Sequence, residues 1–137
     1  MRTIQLLLVI NEMLKKNPNS VTRAINFVIW NCQKKNILMD YCFLPIHDGP
    51  LSTDILCDFW FLVEIANSIV INGDNIKITD DLENHKLIAK YCSYYSKEID
   101  IIHDVIENMD ELNLIDDDSQ ITDYWKKELE AINIKCE

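Results

Sequence analysis

Two histidine-aspartate pairs are the residues of this chain that come closest to acid-base chemistry. His47 and Asp48 precede a Gly-Pro turn, and His103 and Asp104 lie within a helical pattern. An imidazole beside a carboxylate could form half of a general acid-base dyad. Adjacent residues on a helix do not face each other, however, and no nucleophile is placed beside either pair. Two glycines in the whole chain also cannot build a phosphate-cradling loop. We therefore expect no enzymatic activity and no cofactor.

The cysteines and the acidic loop do not predict a metal site. A zinc site would need close cysteine pairs, whereas the five cysteines are odd in number and widely spaced: Cys32, Cys42, Cys57, Cys92 and Cys136. Free thiols in a reducing cytoplasm fit this pattern best. The loop Asp116-Asp117-Asp118 lacks the central glycine and final glutamate of a calcium loop. We expect it to be a solvated loop that caps the next helix.

The negative charge is concentrated in the C-terminal part of the chain. Residues 1–79 carry seven basic and seven acidic side chains, whereas residues 80–137 carry six basic and sixteen acidic ones, so all ten net negative charges lie there. Such a surface repels nucleic acid and anionic membranes and favours a basic protein partner, although solubility alone would also explain it. No stretch approaches the roughly 20 apolar residues of a membrane span.

The elements that would position these residues begin with two helices. Apolar residues at helical spacing predict a first helix over about residues 3–16, ended by Asn17-Pro18-Asn19. A second helix, capped by Asn19 or Ser20, is predicted to end near Lys35-Asn36. Residues 37–46 alternate in polarity and predict a short strand.

A third helix and a hairpin follow that strand. Ser52 is predicted to cap the helix, whose buried stripe is Leu51, Ile55, Leu56, Phe59, Leu62, Val63 and Ala66. Residues 69–71 and 76–78 flank an Asn-Gly turn and predict a β-hairpin. This order indicates a winged helix-turn-helix core over residues 1–79, with the strand at 37–46 able to join the wing.

Three further helices are predicted in residues 80–137. Asp80 with Glu83 resembles a capping box, and apolar residues at helical spacing continue to Ile132. The apolar faces of these helices are too large to stand alone, so we expect this acidic extension to pack on the core. The fold class is thus mainly α (α+β), a winged-helix core with a small β-wing and a helical extension in one compact domain.

The third helix has an unusual surface for a DNA reader. It carries three carboxylates and no cation, and residues 36–76 contain no lysine or arginine at all. Phosphate contacts normally supply much of the affinity for DNA and need cations. Large aromatics here could anchor a protein interface, but we expect the C-terminal helices to cover them, and likewise Trp30, Tyr94 and Trp125. The candidate protein-binding residues are Asp54, Asp58, Trp60, Phe61 and Glu64, with Asp110, Glu111, Asp116, Asp117 and Asp118 in the extension.

Several motifs together resemble a known family. They are Tyr41-x-x-Leu44, Gly49-Pro50-Leu51-Ser52-x-x-Ile55, Phe59-x-x-Leu62-Val63 and the run from Ile69 to Thr79, with Phe27 and Trp30 upstream. This pattern resembles the YwgA-like and Panacea (SocA-like antitoxin) domains over about residues 3–115. The resemblance implies a winged helix and a small helper protein, often an antitoxin or adaptor that holds another protein in a prokaryotic or phage defence setting.

We therefore predict a non-enzymatic protein-binding adaptor or antitoxin-like inhibitor. Its partner would be a basic protein such as a toxin, nuclease or defence component, and a homodimer is compatible with the sequence. The first alternative is a winged-helix transcriptional regulator that binds DNA through basic residues elsewhere: Arg2, Lys15, Lys16, Arg23, Lys34 and Lys35. A weaker alternative is an acidic mimic of DNA that inhibits a nucleic-acid-binding protein.

Overall fold

The chain folds mainly into helices, with two short antiparallel hairpins. The computed structural model describes residues 2–37, 39–46, 49–72 and 75–131, and within them six helices and four strands are found. In chain order they are α1 (Arg2–Lys16), α2 (Thr22–Lys34), β1 (Leu44–Ile46), β2 (Gly49–Leu51), α3 (Thr53–Glu64), β3 (Ile69–Asn72), β4 (Asn75–Ile78), α4 (Leu82–Tyr94), α5 (Ser96–Glu111) and α6 (Asp118–Ala131). A mainly helical fold with a hairpin after the third helix is therefore confirmed.

Helix α1 is the centre of the core. All five residues from Leu6 to Ile10 are buried, which exceeds the single apolar face that its sequence predicts. The reason is that α1 is enclosed on several sides, since it packs against α2, α3, α4 and α5. A helix that is apolar all round has to be covered all round.

Of the caps predicted for α2, α3 and α4, one is confirmed and two are wrong. Ser52 caps α3, because its Oγ accepts a hydrogen bond from the Ile55 amide at 3.3 Å. Ser20 does not cap α2, because its hydroxyl donates to the Asn17 carbonyl at 2.6 Å. The cap of α4 is Asp81 rather than Asp80, since its carboxylate accepts from the Asn84 amide at 2.8 Å.

The predicted strand over residues 37–46 is mostly not a strand. Only its end forms β1, which pairs with β2 in the register Leu44 to Leu51 and does not join the β3-β4 sheet. Upstream, the Gln33 side chain takes the place of a neighbouring strand: its amide oxygen accepts from the Tyr41 amide at 2.9 Å and its amide nitrogen donates to the Tyr41 carbonyl at 3.0 Å. Gly49 opens β2 with φ 143°, a conformation that favours glycine.

The β3-β4 hairpin forms where it is predicted. Its register pairs Ile69 with Ile78 and Asn72 with Asn75. Ile69 and Ile76 are buried and fix the hairpin to the core.

The three C-terminal helices pack mainly on the first two helices. Helix α5 lies against α1 and α2, α4 against α1, and α6 against α2 and β2. Trp125 of α6 is fully buried and contacts Trp30 and Phe27 edge to face, with ring centroids 5.1 and 5.7 Å apart. These helices therefore complete the core around α1 and α2.

Candidate functional site

An apolar surface on α3 and β3 is exposed to solvent. We call it the α3 surface and define it by the exposed residues Leu56, Trp60, Phe61, Ile65, Val70 and Ile71. Trp60 is 46% and Phe61 44% exposed, so the expectation that the C-terminal helices cover these aromatics is wrong. The same expectation holds for Trp125, which is buried, but fails for Tyr94, which is 75% exposed. Trp30 is half-buried.

The orientation of α3 explains this exposure. Ile55, Phe59 and Leu62 are its buried residues and hold the helix against the core. Residues one position further along the helix are rotated by about 100° and point away from that contact. Leu56 and Ala66, which the sequence assigns to the buried stripe, are exposed, because the stripe that contacts the core is narrower than the apolar run.

An open groove runs between α3 and β3. It encloses about 420 Å³ and is lined by Trp60, Val63, Glu64, Asn67, Ile69, Val70, Ile71 and Thr79. Asn67 turns the chain from α3 into β3 with φ 53°, a conformation that asparagine tolerates. The Thr79 hydroxyl donates to the Asn67 carbonyl at 2.6 Å and ties the base of the hairpin to the end of the helix. This hydrogen bond fixes the base of the groove.

The acidic residues of α3 differ in their surroundings. Asp58 accepts hydrogen bonds from Arg2 Nε at 2.9 Å and from the Tyr41 hydroxyl at 2.7 Å, and its side chain is 15% exposed. Asp54 lies 3.7 Å from the Arg2 guanidinium and is half exposed. Glu64 is exposed and makes no ion pair with any residue that the structure describes. The Arg2 guanidinium thus reaches α3, although α3 itself carries no cation, and Glu64 is the acid of α3 that makes no described ion pair.

The cluster of Arg2, Tyr41 and Asp58 is a structural feature that sequence reasoning missed. Burial, together with the hydrogen bond and charge of Asp58, raises the pKa of Tyr41 above its ordinary value of 10.0. The Arg2 guanidinium also lies over the Tyr41 ring, 4.7 Å from its centroid. One signal was present: an arginine in the first turn of a helix opposes the helix dipole and calls for an acidic partner.

The acidic residues of the extension are partly engaged within the fold. Asn17 Nδ2 donates to Asp110 at 3.2 Å and to Asp116 at 3.0 Å, which clamps the turn between α1 and α2. Asp117 accepts from the first amides of α6, and Asp118 pairs with Arg23 at 3.6 Å. Glu111 is exposed. The structure thus joins Asp110 and Asp116 to each other through Asn17, and no described hydrogen bond or ion pair joins them to α3.

The six basic residues of the nucleic-acid alternative do not form one open patch. Helix geometry alone separates Arg2 from Lys16 by roughly 20 Å and Arg23 from Lys34 by roughly 16 Å. Five of the six lie within 4 Å of a carboxylate: Arg2 of Asp58, Lys15 of Glu12, Lys16 of Glu107, Arg23 of Asp118 and Lys34 of Glu128. Most of their charge is thus already balanced locally.

The remaining candidates for acid-base or metal chemistry are the two histidine-aspartate pairs and the cysteines. His47, Asp48 and Cys136 lie outside the described residues. His103 and Asp104 are both exposed on α5. Burial raises the pKa of the Cys32 thiol to about 12. Within the described ranges no three histidine, cysteine or acidic side chains come together to hold a metal ion.

The elements and the α3 surface define a mainly helical protein that presents an apolar helix-and-hairpin face to solvent. No described helix has the length and apolarity that crossing a membrane requires. Comparison with protein families, with curated proteins and with solved structures finds no match to this chain.

Proposed function

We propose that this protein is a non-enzymatic protein-binding adaptor or antitoxin-like inhibitor that holds its partner on the α3 surface. The observation that carries the proposal is the exposure of Trp60 and Phe61 side by side on a helix that is otherwise fixed in the core. Tryptophan and other large aromatics are the residues that most often dominate the energy of protein interfaces. They lose little side-chain entropy on binding when their helix is already rigid.

The size of the exposed apolar area supports this role. An aromatic side chain can bury about 150–250 Å², so the exposed fractions of Trp60 and Phe61 leave roughly 150–200 Å² between them. Leu56, Ile65, Val70 and Ile71 are further exposed apolar residues on α3, just after it and on β3. Contiguous apolar patches exposed on a single chain are often functional.

The charge of the surface indicates the chemistry of the partner. Glu64 lies in the groove beside Trp60, and residues 36–76 contribute no cation to this face. The net charge of the whole chain is -10. A partner with an apolar segment and basic residues, such as a toxin, a nuclease or a defence component, would be attracted to this face and would pair with Glu64.

We also propose that the core is a winged helix used for protein recognition. The order of α1, α2, α3 and the β3-β4 hairpin is that of a winged helix-turn-helix, and it supports the resemblance to antitoxin-like domains. In this interpretation α3 occupies the place of the recognition helix, and the β1-β2 hairpin is inserted before it. The carboxylates on α3 and the ion pairs of Arg2 and Lys34 disfavour DNA as the ligand.

Affinity capture with matched variants tests the proposal. The wild-type protein, Trp60→Ser, Phe61→Ser and the control Tyr94→Ser would be used as bait, since Tyr94 is an exposed aromatic on another helix. The partner recovered with the wild type would then be purified and its dissociation constant measured against each bait. We expect the control to bind as the wild type does and each α3 variant to bind at least about 30-fold more weakly, the cost of losing a hot spot.

Several results would contradict this function. Equal binding by all four baits would place the interface elsewhere, and recovery of nucleic acid without protein would favour the regulator. A concentration-dependent dimer that Trp60→Ser abolishes would assign the α3 surface to self-association. If the partner is a toxin, co-expression with the wild type should restore growth of its host and co-expression with Trp60→Ser should not.

A further inference from the structure

A second concave site lies between α2, α5 and α6 and shares no lining residue with the α3 surface. The cavity has a volume of about 320 Å³. Its apolar lining consists of the buried residues Val105, Met109 and Leu114, the half-buried Tyr124 and the exposed Ile101 and Leu112. Its polar lining consists of Asn31, Lys35, Asp104 and Asn108. An apolar cavity with a few convergent polar groups is the usual form of a small-molecule site, and this volume is at the small end of the range for such sites, about 300–1,000 Å³.

The packing of α2 against α5 shows how these groups are arranged. The Val21 amide donates to the Ile115 carbonyl at 2.9 Å, and Asn31 Nδ2 contacts the Met109 sulfur at 3.7 Å. The start of α2 therefore lies near the end of α5, and the two helices are antiparallel. Lys35, one turn beyond Asn31, therefore lies at the level where α5 supplies Asp104, and Ile101 follows one turn further along α5. In the other direction the lining continues to Leu112 and Leu114.

Lys35 and Asp104 are the two charged residues of this lining. Lys35 and Asp104 make no ion pair with each other or with any other residue that the structure describes. The neighbouring Lys34, by contrast, pairs with Glu128 at 3.2 Å. The cavity thus presents a cation and an anion on facing helices, more than 4 Å apart, beside the amides of Asn31 and Asn108 and a set of apolar side chains.

We propose that this cavity binds a free α-amino acid with an apolar side chain. The carboxylate of the ligand pairs with Lys35, its ammonium group pairs with Asp104, and its side chain lies along Met109 toward Leu114 and Tyr124. A free apolar amino acid carries its ammonium and carboxylate groups on one carbon, next to an apolar side chain, whereas a peptide separates these two charges. The site is independent of the proposed partner on α3, and it would make the protein responsive to a small metabolite.

Isothermal titration calorimetry with chemically trimmed probes tests this site. L-phenylalanine and L-leucine carry both charges, 3-phenylpropionate lacks the ammonium group, and phenethylamine lacks the carboxylate. We expect saturable binding of an amino acid to the wild type, and at least about tenfold weaker binding of each trimmed probe, because a hydrogen bond to a charged group is lost.

Variants assign each charge to its residue. Lys35→Met should bind phenylalanine about tenfold more weakly and no better than phenethylamine, and Asp104→Asn should no longer distinguish phenylalanine from 3-phenylpropionate. The exposed residues Lys97 and Asp123 provide the controls Lys97→Met and Asp123→Asn, which should bind as the wild type does. Both trial variants alter exposed side chains, so circular dichroism should show an unchanged fold.

Three outcomes would overturn the proposal. They are a dissociation constant weaker than about 10 mM for both amino acids, equal binding of the trimmed probes to the wild type, and unchanged discrimination in the two charge variants. None of these outcomes bears on partner binding by the α3 surface, which is measured with the α3 variants alone.

Discussion

Replacing Asp58 with alanine should destabilise the folded protein by about 2–4 kcal/mol. The substitution leaves the hydroxyl of Tyr41, a buried residue, without its acceptor at 2.7 Å, which costs about 1–3 kcal/mol. It also removes the charged hydrogen bond from Arg2 at 2.9 Å, worth about 1.5–3 kcal/mol when well shielded. Arg2 is about one third exposed, so the second contribution belongs at the low end of its range. At about 2.1 cal/mol/K per residue, the expected fall in Tm for this chain is roughly 7–14 °C.

Thermal and urea denaturation, followed by circular dichroism, measure this effect. The matched control is Asp54→Ala on the same helix, because Asp54 is 52% exposed and lies 3.7 Å from the Arg2 guanidinium. We expect a loss of less than about 1 kcal/mol for the control. Tyr41→Phe should cost about 1 kcal/mol and should not add fully to the loss from Asp58→Ala, because both remove the same hydrogen bond. Equal losses for Asp58→Ala and Asp54→Ala would refute a stabilising role for Asp58 and leave it a candidate for partner binding.

Three further results follow from burial and charge. Trp125→Ala should cost about 3–5 kcal/mol of unfolding free energy, and Trp60→Ser should cost clearly less because about half of the Trp60 side chain is already exposed; equal losses in urea titrations would contradict the assigned burial. Alkylation followed by peptide mapping should label the exposed Cys57 rapidly and Cys32 only after unfolding, because Cys32 is buried and its pKa is raised to about 12. Burial raises the pKa of Tyr41 above 10.0, so the folded state retains the phenol proton more strongly than the unfolded state does. The contribution of Tyr41 to the free energy of unfolding is therefore complete below about pH 10 and decreases above it. Urea titrations at about pH 8 and 11 should show a smaller alkaline loss for Tyr41→Phe than for the wild type, and an equal loss would exclude this linkage.

Local signals predicted the elements of this fold well. Three local signals were sufficient: the apolar spacing in α1, the serine before α3, and the Asn-Gly sequence that separates β3 from β4. Each of them depends on residues within a few positions of one another. The interactions that determine these structures lie within one helical turn or one tight turn, so a few consecutive residues are enough to predict them. The wrong cap of α4 also differs by a single position, where two adjacent aspartates offer the same chemistry.

Contacts between distant residues explain what the sequence could not predict. Arg2 and Asp58 are 56 positions apart, so the pairing of the acid on α3 depends on how α1 crosses that helix. The strand expected over residues 37–46 is displaced by a side chain, since Gln33 satisfies the backbone of Tyr41 from eight positions away. The alternating pattern of residues 37–46 is the same whether the backbone pairs with another strand or with an amide side chain. The pattern therefore could not show that Gln33 makes these two hydrogen bonds.

The packing of the three C-terminal helices explains why the α3 surface stays exposed. A chain with three additional helices could have covered Trp60 and Phe61, yet α4, α5 and α6 pack mainly on α1, α2 and β2. Asp110 and Asp116 accept hydrogen bonds from Asn17, and Asp117 accepts from the first amides of α6, so these three acids stabilise the fold. Apolar contact on the α3 surface would then supply most of the affinity for a partner. The excess negative charge would mainly raise the rate at which a basic protein arrives.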